Sequence, residues 1–273
     1  VAPESDDNPW HYKVSWNPRN IILAGKAGAV YKENGEVVQL PYEQLFDPGR
    51  IVHVPGCDVF AYYPNRDSLG YISLYELGNV ETFIRTTLRH PEFSFGWKNI
   101  VDLKLTNEEK VYETNGMTVA EFFKIHFEKN GFSNWLNELL SSRLAYAKEM
   151  MEKLMQLMEA EEEAADKGLD PEDEILLVDE RGDLTSMPID DIKDKAAESV
   201  ANKMHEANTG MKQLFFLGLD DDTPINKGLC SAADVLQFIL ENKLALHPDD
   251  KDMIVMMHEI EYELNNNSHK VIS

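Results

Sequence analysis

"AVYKENGEVVQL", residues 29–40, decides how the first part of this chain folds. Two arms rich in apolar and β-branched residues flank Asn34-Gly35. A two-residue hairpin turn needs positive φ at its centre, which Asn and Gly adopt at low cost. The stretch therefore predicts a tight antiparallel hairpin. Just before it, "NIILAG" (20–25) is an apolar run of strand length. Gly25 and Gly28 in "LAGKAGAVY" (23–31) invite a phosphate-loop reading. A dinucleotide fingerprint, however, must run into a helix whose N-terminus takes the pyrophosphate. This one runs into the hairpin, and no other candidate exists, so no cofactor-binding residue is expected in the chain.

Further strand signals follow. "DVFAYYP" (58–64) reads as a strand stopped by Pro64, and "DSLGYISLYEL" (67–77) as a helix capped by Asp67 or Ser68. "ETFIRTTLR" (81–89) alternates, with Ile84, Thr86 and Leu88 on one face and Phe83, Arg85, Thr87 and Arg89 on the other. From Trp97 the period becomes helical. Thr118 and Glu121 form a capping box, Asn130-Gly131 ends that helix, and 133–168 reads as one long helix with a methionine cluster (150–158) packed in a core. Residues 173–188 read as a polar excursion around a short apolar run, 189–208 as another helix, and 231–246 as a helix with a Ser231/Asp234 box. "DMIVMMHEIEYEL" (252–264) returns to strand. The expected fold is α/β (α+β): a mixed-sheet domain with a large helical insertion. Its expected parts are 1–97, a helical insert 98–250, and a returning strand 251–273.

The 273 residues carry 26 Lys+Arg against 49 Asp+Glu, a net charge of −23. That excludes nucleic-acid phosphate and an anionic membrane surface as natural partners. No window approaches the ~20 apolar residues of a membrane span. Two cysteines cannot build a disulfide framework, which fits a reduced, cytoplasmic setting. The start lacks Met and a signal peptide, and is expected to be a cut into a longer protein. The charge is uneven. Residues 1–100 hold nine Lys+Arg and twelve Asp+Glu, against seventeen and thirty-seven afterwards, and five of the seven arginines fall in that first part. Anion recognition is expected there, and a solvated helical surface in the remainder.

Five features bear on chemistry. "HEIEYE" (258–263) places Tyr262 where a zincin needs its second histidine, so no metal site is expected. "DDDTP" (220–224) reads as a helix-terminus feature. Cys57 reads as a small buried thiol rather than a nucleophile. "SWNPRN" (15–20) sets Arg19 on a proline-stiffened stem, suited either to gripping a planar anion or to a surface turn. "YYPNRDS" (62–68) puts Asn65 and Arg66 at a strand end, as a pocket wall or as a helix start.

Together "NPWHYKVSWNPRNIILAG", "AVYKENGEVVQL", "VFAYYPNRDSLGYISLYEL", "VETFIRTTLRHPEF", "LFFLGL" and "DMIVMMHEIEYEL" resemble the saccharopine dehydrogenase family. The resemblance is strong over 8–105 and moderate over 211–264, and 106–210 matches as a variable helical insert. It favours the glutamate-forming saccharopine reductases over the shorter lysine 6-dehydrogenase relatives. It implies an NADP(H)-binding (NAD possible) N-terminal Rossmann domain outside this chain, a second α/β domain that dimerises and binds substrate, and a helical domain inserted into it. The implied reaction is hydride transfer at the CH–NH bond of saccharopine, joining glutamate and 2-aminoadipate semialdehyde. This portion alone would be inactive, and no catalytic residue is assignable in it. The resemblance places substrate contacts at Arg19 and at Leu40, Pro41 and Tyr42, with Asn65 and Arg66 as further pocket residues. Arg85, Thr87 and Arg89 are possible pocket residues. The alternatives are another amino-acid or polyamine conjugate as substrate, or a non-catalytic protein-interaction module.

Overall fold

The computed structural model describes residues 7–57, 59–135, 208–251, 253–265 and 267–273, with isolated positions and two strands between 136 and 207. The chain forms two compact units, Val1–Asn130 with Lys212–Ser273, and Gly131–Met211. In the second unit the described positions between 135 and 155 are helical, and Glu174–Val178 pairs antiparallel with Leu184–Pro188. That hairpin is absent from the sequence reading of 173–188. Most of the expected helix 133–168, its methionine cluster, and helix 189–208 lie outside the described residues. Met155, the described member of the cluster, is exposed.

The first unit opens with α1 (Pro18–Ile22), where a strand was expected. The local signals explain the correction. Pro18 sits at the first helical position, where its missing N–H costs nothing, and the Asn17 side chain accepts a hydrogen bond from the Arg19 amide at 2.9 Å. Gly25, at φ +80°, then turns the chain. The expected hairpin follows as β1 (Ala29–Glu33) and β2 (Glu36–Leu40), in register through Glu33↔Glu36, with Asn34 and Gly35 both at positive φ. Gly28 cannot carry a side chain, because a Cβ there would meet the Leu40 carbonyl.

A 3-10 turn, Tyr42–Gln44, leads to an antiparallel sheet of β3 (Ile51–His53), β4 (Val59–Pro64) and β5 (Thr86–Arg89), with β4 in the middle. Among the described residues, parallel pairing is confined to single bridges, Val30 with Asp67 and Val14 with Ala245. Cys57 lies exposed in the turn between β3 and β4, so the buried thiol is instead Cys230. Gly56 at positive φ makes that turn tight, which leaves the next side chain in solvent. Helix α2 (Leu69–Leu74) is shorter than expected; its N-cap is Ser68, and the Asp67 carboxylate before it accepts the Leu69 amide at 2.8 Å.

The core lies between β4, α3 (Pro91–Asp102), α4 (Val119–Asn130) and α5 (Ala232–Lys243). Phe60, Trp97, Phe122, Leu236 and Trp10 are essentially buried. Both expected capping boxes form: Thr118 with Glu121, and Ser231 with Asp234 at the start of α5. β6 (Lys110–Glu113) pairs with β9 (Leu229–Ser231) and joins the chain's early and late parts. Counting the second unit's strands as β7 and β8, the last hairpin is β10 (Glu259–Leu264) with β11 (Asn267–Ile272). Residues 253–257 belong to no helix or strand, so the expected strand 252–264 starts only at Glu259.

Candidate functional site

The hairpin and the β4–β5 pair build a loop anchored from two sides. The Val30 amide donates to the Arg66 carbonyl at 2.9 Å, and the Ser68 amide to the Val30 carbonyl at 2.8 Å. From the other side, the Asn65 amide donates to the Arg85 carbonyl at 2.7 Å, and the Arg85 amide to the Ser68 hydroxyl at 3.0 Å. Ser68 is fully buried and Arg66 sits at φ +55°. A left-handed arginine costs roughly 1 kcal/mol or more, and the flanking hydrogen bonds hold it there.

This loop forms one wall of a cleft of 520 Å³. Asn65, Arg66, Arg85, Thr87 and Arg89 all line it. Its floor and sides are aromatic, including Phe46, Tyr63 and Trp97. Such a volume suits a small molecule. Three arginines face it, and Asp67 is the one carboxylate among its lining residues. Strand β5 covers only Thr86–Arg89 of the expected alternating run 81–89, with Ile84 and Arg85 just before it. Ile84, Thr86 and Leu88 line a second, open cleft of 980 Å³, and Thr87 and Arg89 border both.

The arginines are held by rings. The Arg85 guanidinium lies 3.7 Å from the centre of Tyr71, and Arg89 lies 5.5 Å and 5.6 Å from Tyr12 and Phe93. Stacking fixes a guanidinium plane and leaves its N–H edge open. Arg89 donates from Nη1 to the Leu88 carbonyl, while its buried Nε has no hydrogen-bond partner among the described residues. Unpaired donors on rigid stems match planar anions such as carboxylates.

Arg19 stands apart. Because 18–22 is helical, residues four apart share a face. Asn20 and Ile21 of α1 line the cleft together with Trp16, Ala24 and Gly25 beside it, and Arg19 and Lys26 do not. Arg19 is already paired, through Nη1 to Asp234 and Nη2 to Glu108, both at 2.9 Å, and Lys26 holds the other oxygen of Glu108 at 2.7 Å. The Lys26 ammonium, with Arg19, holds the Glu108 carboxyl below its ordinary value. Burial pushes Asp234 up, but its bonds from Ser231 and the charge of Arg19 outweigh that and leave it lowered.

Leu40, Pro41 and Tyr42 do not line the cleft either. Leu40 closes the hairpin against Ala29, and the half-buried Tyr42 side chain brings its hydroxyl to Thr106 Oγ1 at 3.4 Å. Burial pushes the Tyr42 phenol up, so it stays a neutral hydroxyl. Trp16, Tyr71 and Asp67 are cleft residues that the sequence reading did not assign to a site. Tyr71 and Trp16 carried a usable signal, as aromatics beside the two arginine motifs. The Gly25–Gly28 turn opens into the hairpin, with no following helix, so these residues do not fit a nucleotide pyrophosphate. Among the described residues no three His, Cys, Asp or Glu side chains gather as metal ligands, and no helix is long and apolar enough to cross a membrane.

The family model for the saccharopine dehydrogenase C-terminal domain matches residues 1–273. An alpha-aminoadipic semialdehyde synthase from Arabidopsis thaliana is 27% identical over 96% of this chain and 21% of its own length. A saccharopine dehydrogenase (NADP+, L-glutamate-forming) from Schizosaccharomyces pombe is 36% identical over 39% of this chain and 24% of its own length. The structure of a saccharopine dehydrogenase (L-Glu forming) from Saccharomyces cerevisiae superposes with a TM-score of 0.64 at 21% identity, over the whole of this chain and 50% of that one. The chain thus spans about a quarter or less of these curated relatives and half of the structural one, and it belongs to the saccharopine dehydrogenase C-terminal domain family.

Proposed function

We propose that this chain is the substrate-binding part of an oxidoreductase acting on the CH–NH bond of saccharopine, with NADP(H) held by a portion of the protein outside it. The observation that carries this is the convergence of Arg66, Arg85 and Arg89 on one aromatic cleft with a single opposing carboxylate, Asp67. Saccharopine bears three carboxylates, and a cleft that collects cations in a chain of net charge −23 is suited to such a ligand. The role of these residues is to bind and orient, which by itself accounts for a large part of a barrier reduction. The relatives' names support both the substrate and the nucleotide.

Arg19 enters this reading on one condition: it must exchange Glu108 or Asp234 for a substrate carboxylate. Leu40, Pro41 and Tyr42 would contribute main-chain groups beside it. A homodimer in a reducing, cytoplasmic setting completes the proposal. Sedimentation of the full-length protein tests the dimer, with a monomer as the contrary result.

The decisive experiment assays the full-length protein with saccharopine and NADP+. Turnover is expected, and this chain alone should give none. Absence of turnover with saccharopine, together with activity on another amino-acid or polyamine conjugate, would reassign the substrate. Binding without turnover of any conjugate would favour an interaction module.

A further inference from the structure

Asp67 is the one carboxylate among the residues lining the 520 Å³ cleft, where three arginines accompany it. Its backbone is held from both sides, because the Arg66 carbonyl before it and the Ser68 amide after it both bond to Val30. Its Oδ1 accepts the Leu69 amide at 2.8 Å, and its other oxygen has no hydrogen-bond or ion-pair partner among the described residues. No arginine of the cleft closes on it. Arg85 rests on Tyr71, Arg89 rests on Tyr12 and Phe93, and Arg66 has no partner among the described residues. Opposite charges in one small cleft attract and would pair if their side chains were free to meet. Here the start of α2 holds the carboxylate and a ring holds the guanidinium, so each keeps an open edge. The two nonetheless stand on joined segments. The Ser68 hydroxyl, next to Asp67 in the chain, accepts the Arg85 amide at 3.0 Å.

We infer that Asp67 is a specificity-determining residue of this cleft, taking the α-ammonium group of an amino-acid substrate whose α-carboxylate goes to Arg85. This rests on the functional reading above and sharpens it. A fixed carboxylate repels a ligand that carries only carboxylates, so it weakens a purely anion-binding cleft. An α-amino acid is different, because it bears an anion and a cation on one carbon. Its recognition needs an acceptor and a forked donor on adjoining segments, and Asp67 and Arg85 supply that pair. In saccharopine only the lysine-derived end has a primary α-ammonium beside its carboxylate. The glutamate-derived nitrogen is the secondary amine at the reacting carbon. The pairing therefore places the lysine-derived end at Asp67 and Arg85, and it discriminates against a ligand of the same length that lacks the α-amino group.

The experiment compares saccharopine with its analogue built on 6-aminohexanoate in place of lysine, identical but for the missing α-amino group, in the full-length enzyme with NADP+ saturating. The wild type is expected to favour saccharopine by about fivefold or more in kcat/KM, between the worth of an exposed charge pair and that of a buried charged hydrogen bond. Asp67→Asn removes the charge and keeps an oxygen that accepts the Leu69 amide, so the start of α2 is preserved. It should raise the KM for saccharopine about fivefold, leave that for the analogue unchanged or lower, and reduce the preference to about twofold or less. A residue that only caps the helix would weaken both compounds alike. A preference that survives in Asp67→Asn would therefore overturn the assignment, as would a wild type indifferent to the α-amino group. If the asparagine variant fails to fold, Asp67→Ser offers a hydroxyl to the same amide and is held to the same loss of preference. A wild type that binds nucleotide but turns over neither compound would strike the functional reading itself, and this assignment with it.

Discussion

Two groups of arginine in the first unit are treated in opposite ways. Arg85 and Arg89 rest on aromatic rings and keep their N–H edges toward a cleft. Arg19 is closed by Glu108 and Asp234 and ties α1 to the loop after α3 and to the cap of α5. A guanidinium on a ring is positioned without being consumed, while one on two carboxylates has its fork filled. The difference separates a group waiting for an anion from a group that must release one first.

The most severe way to break this contrast is to remove the aromatic floor. Trp97 is 1% exposed and stacks on Phe93, which in turn meets Arg89. Trp97→Ala should cost about 3–5 kcal/mol, read by urea denaturation of the full-length protein, as expected for a fully buried indole. A loss under 1 kcal/mol would show that the cleft floor is not part of the core.

Next in size is the substrate effect of Arg19. If it exchanges partners on binding, Arg19→Ala should raise the KM for saccharopine about tenfold and leave that for the nucleotide nearly unchanged, the loss of one charge-assisted pair. Equal effects on both would leave Arg19 a structural tie.

The tie itself is worth less. The side chains of Arg19 and Glu108 are 26% and 46% exposed, so solvent screens the pair. Arg19→Met should cost about 1 kcal/mol or less at neutral pH. Both carboxyls are lowered in the folded state. Their contribution is therefore fully present above the ordinary carboxylate values and is lost as pH falls through the lowered ones. The difference in Tm between wild type and Arg19→Met should shrink below pH 4.5, the ordinary value for Glu108. A difference that grows on acidification would contradict the pairing.

The smallest and most discriminating effect concerns Glu108 itself. Replacing it with Gln frees one edge of Arg19, so Glu108→Gln should lower the KM for saccharopine by about twofold, a few tenths of a kcal/mol. An unchanged or raised KM would mean that Glu108 does not compete with substrate.

The hairpin and the two capping boxes were legible in the sequence, because each rests on contacts within a few residues: a two-residue turn, and an N-cap with its third neighbour. The clustering of arginines before residue 100 was legible too, since composition needs no fold. The helix at 18–22 was misread because its apolar run was weighed above Asn17-Pro18, a cap and a first-turn proline. That error decides where Arg19 points, since successive residues on a helix diverge by about 100° and on a strand by a half turn.

What the sequence determined by itself was the local grammar of the α/β unit and the presence of unmatched cations within it. Which cations are free was decided only by tertiary structure. Glu108 and Asp234 lie 89 and 215 residues from Arg19 in the chain, and no local pattern announces that they close its fork. Tyr12 approaches Arg89 from far along the sequence as well. An arginine's availability depends on what packs against it, and packing across such separations is fixed by the burial of the core rather than by any motif around the arginine.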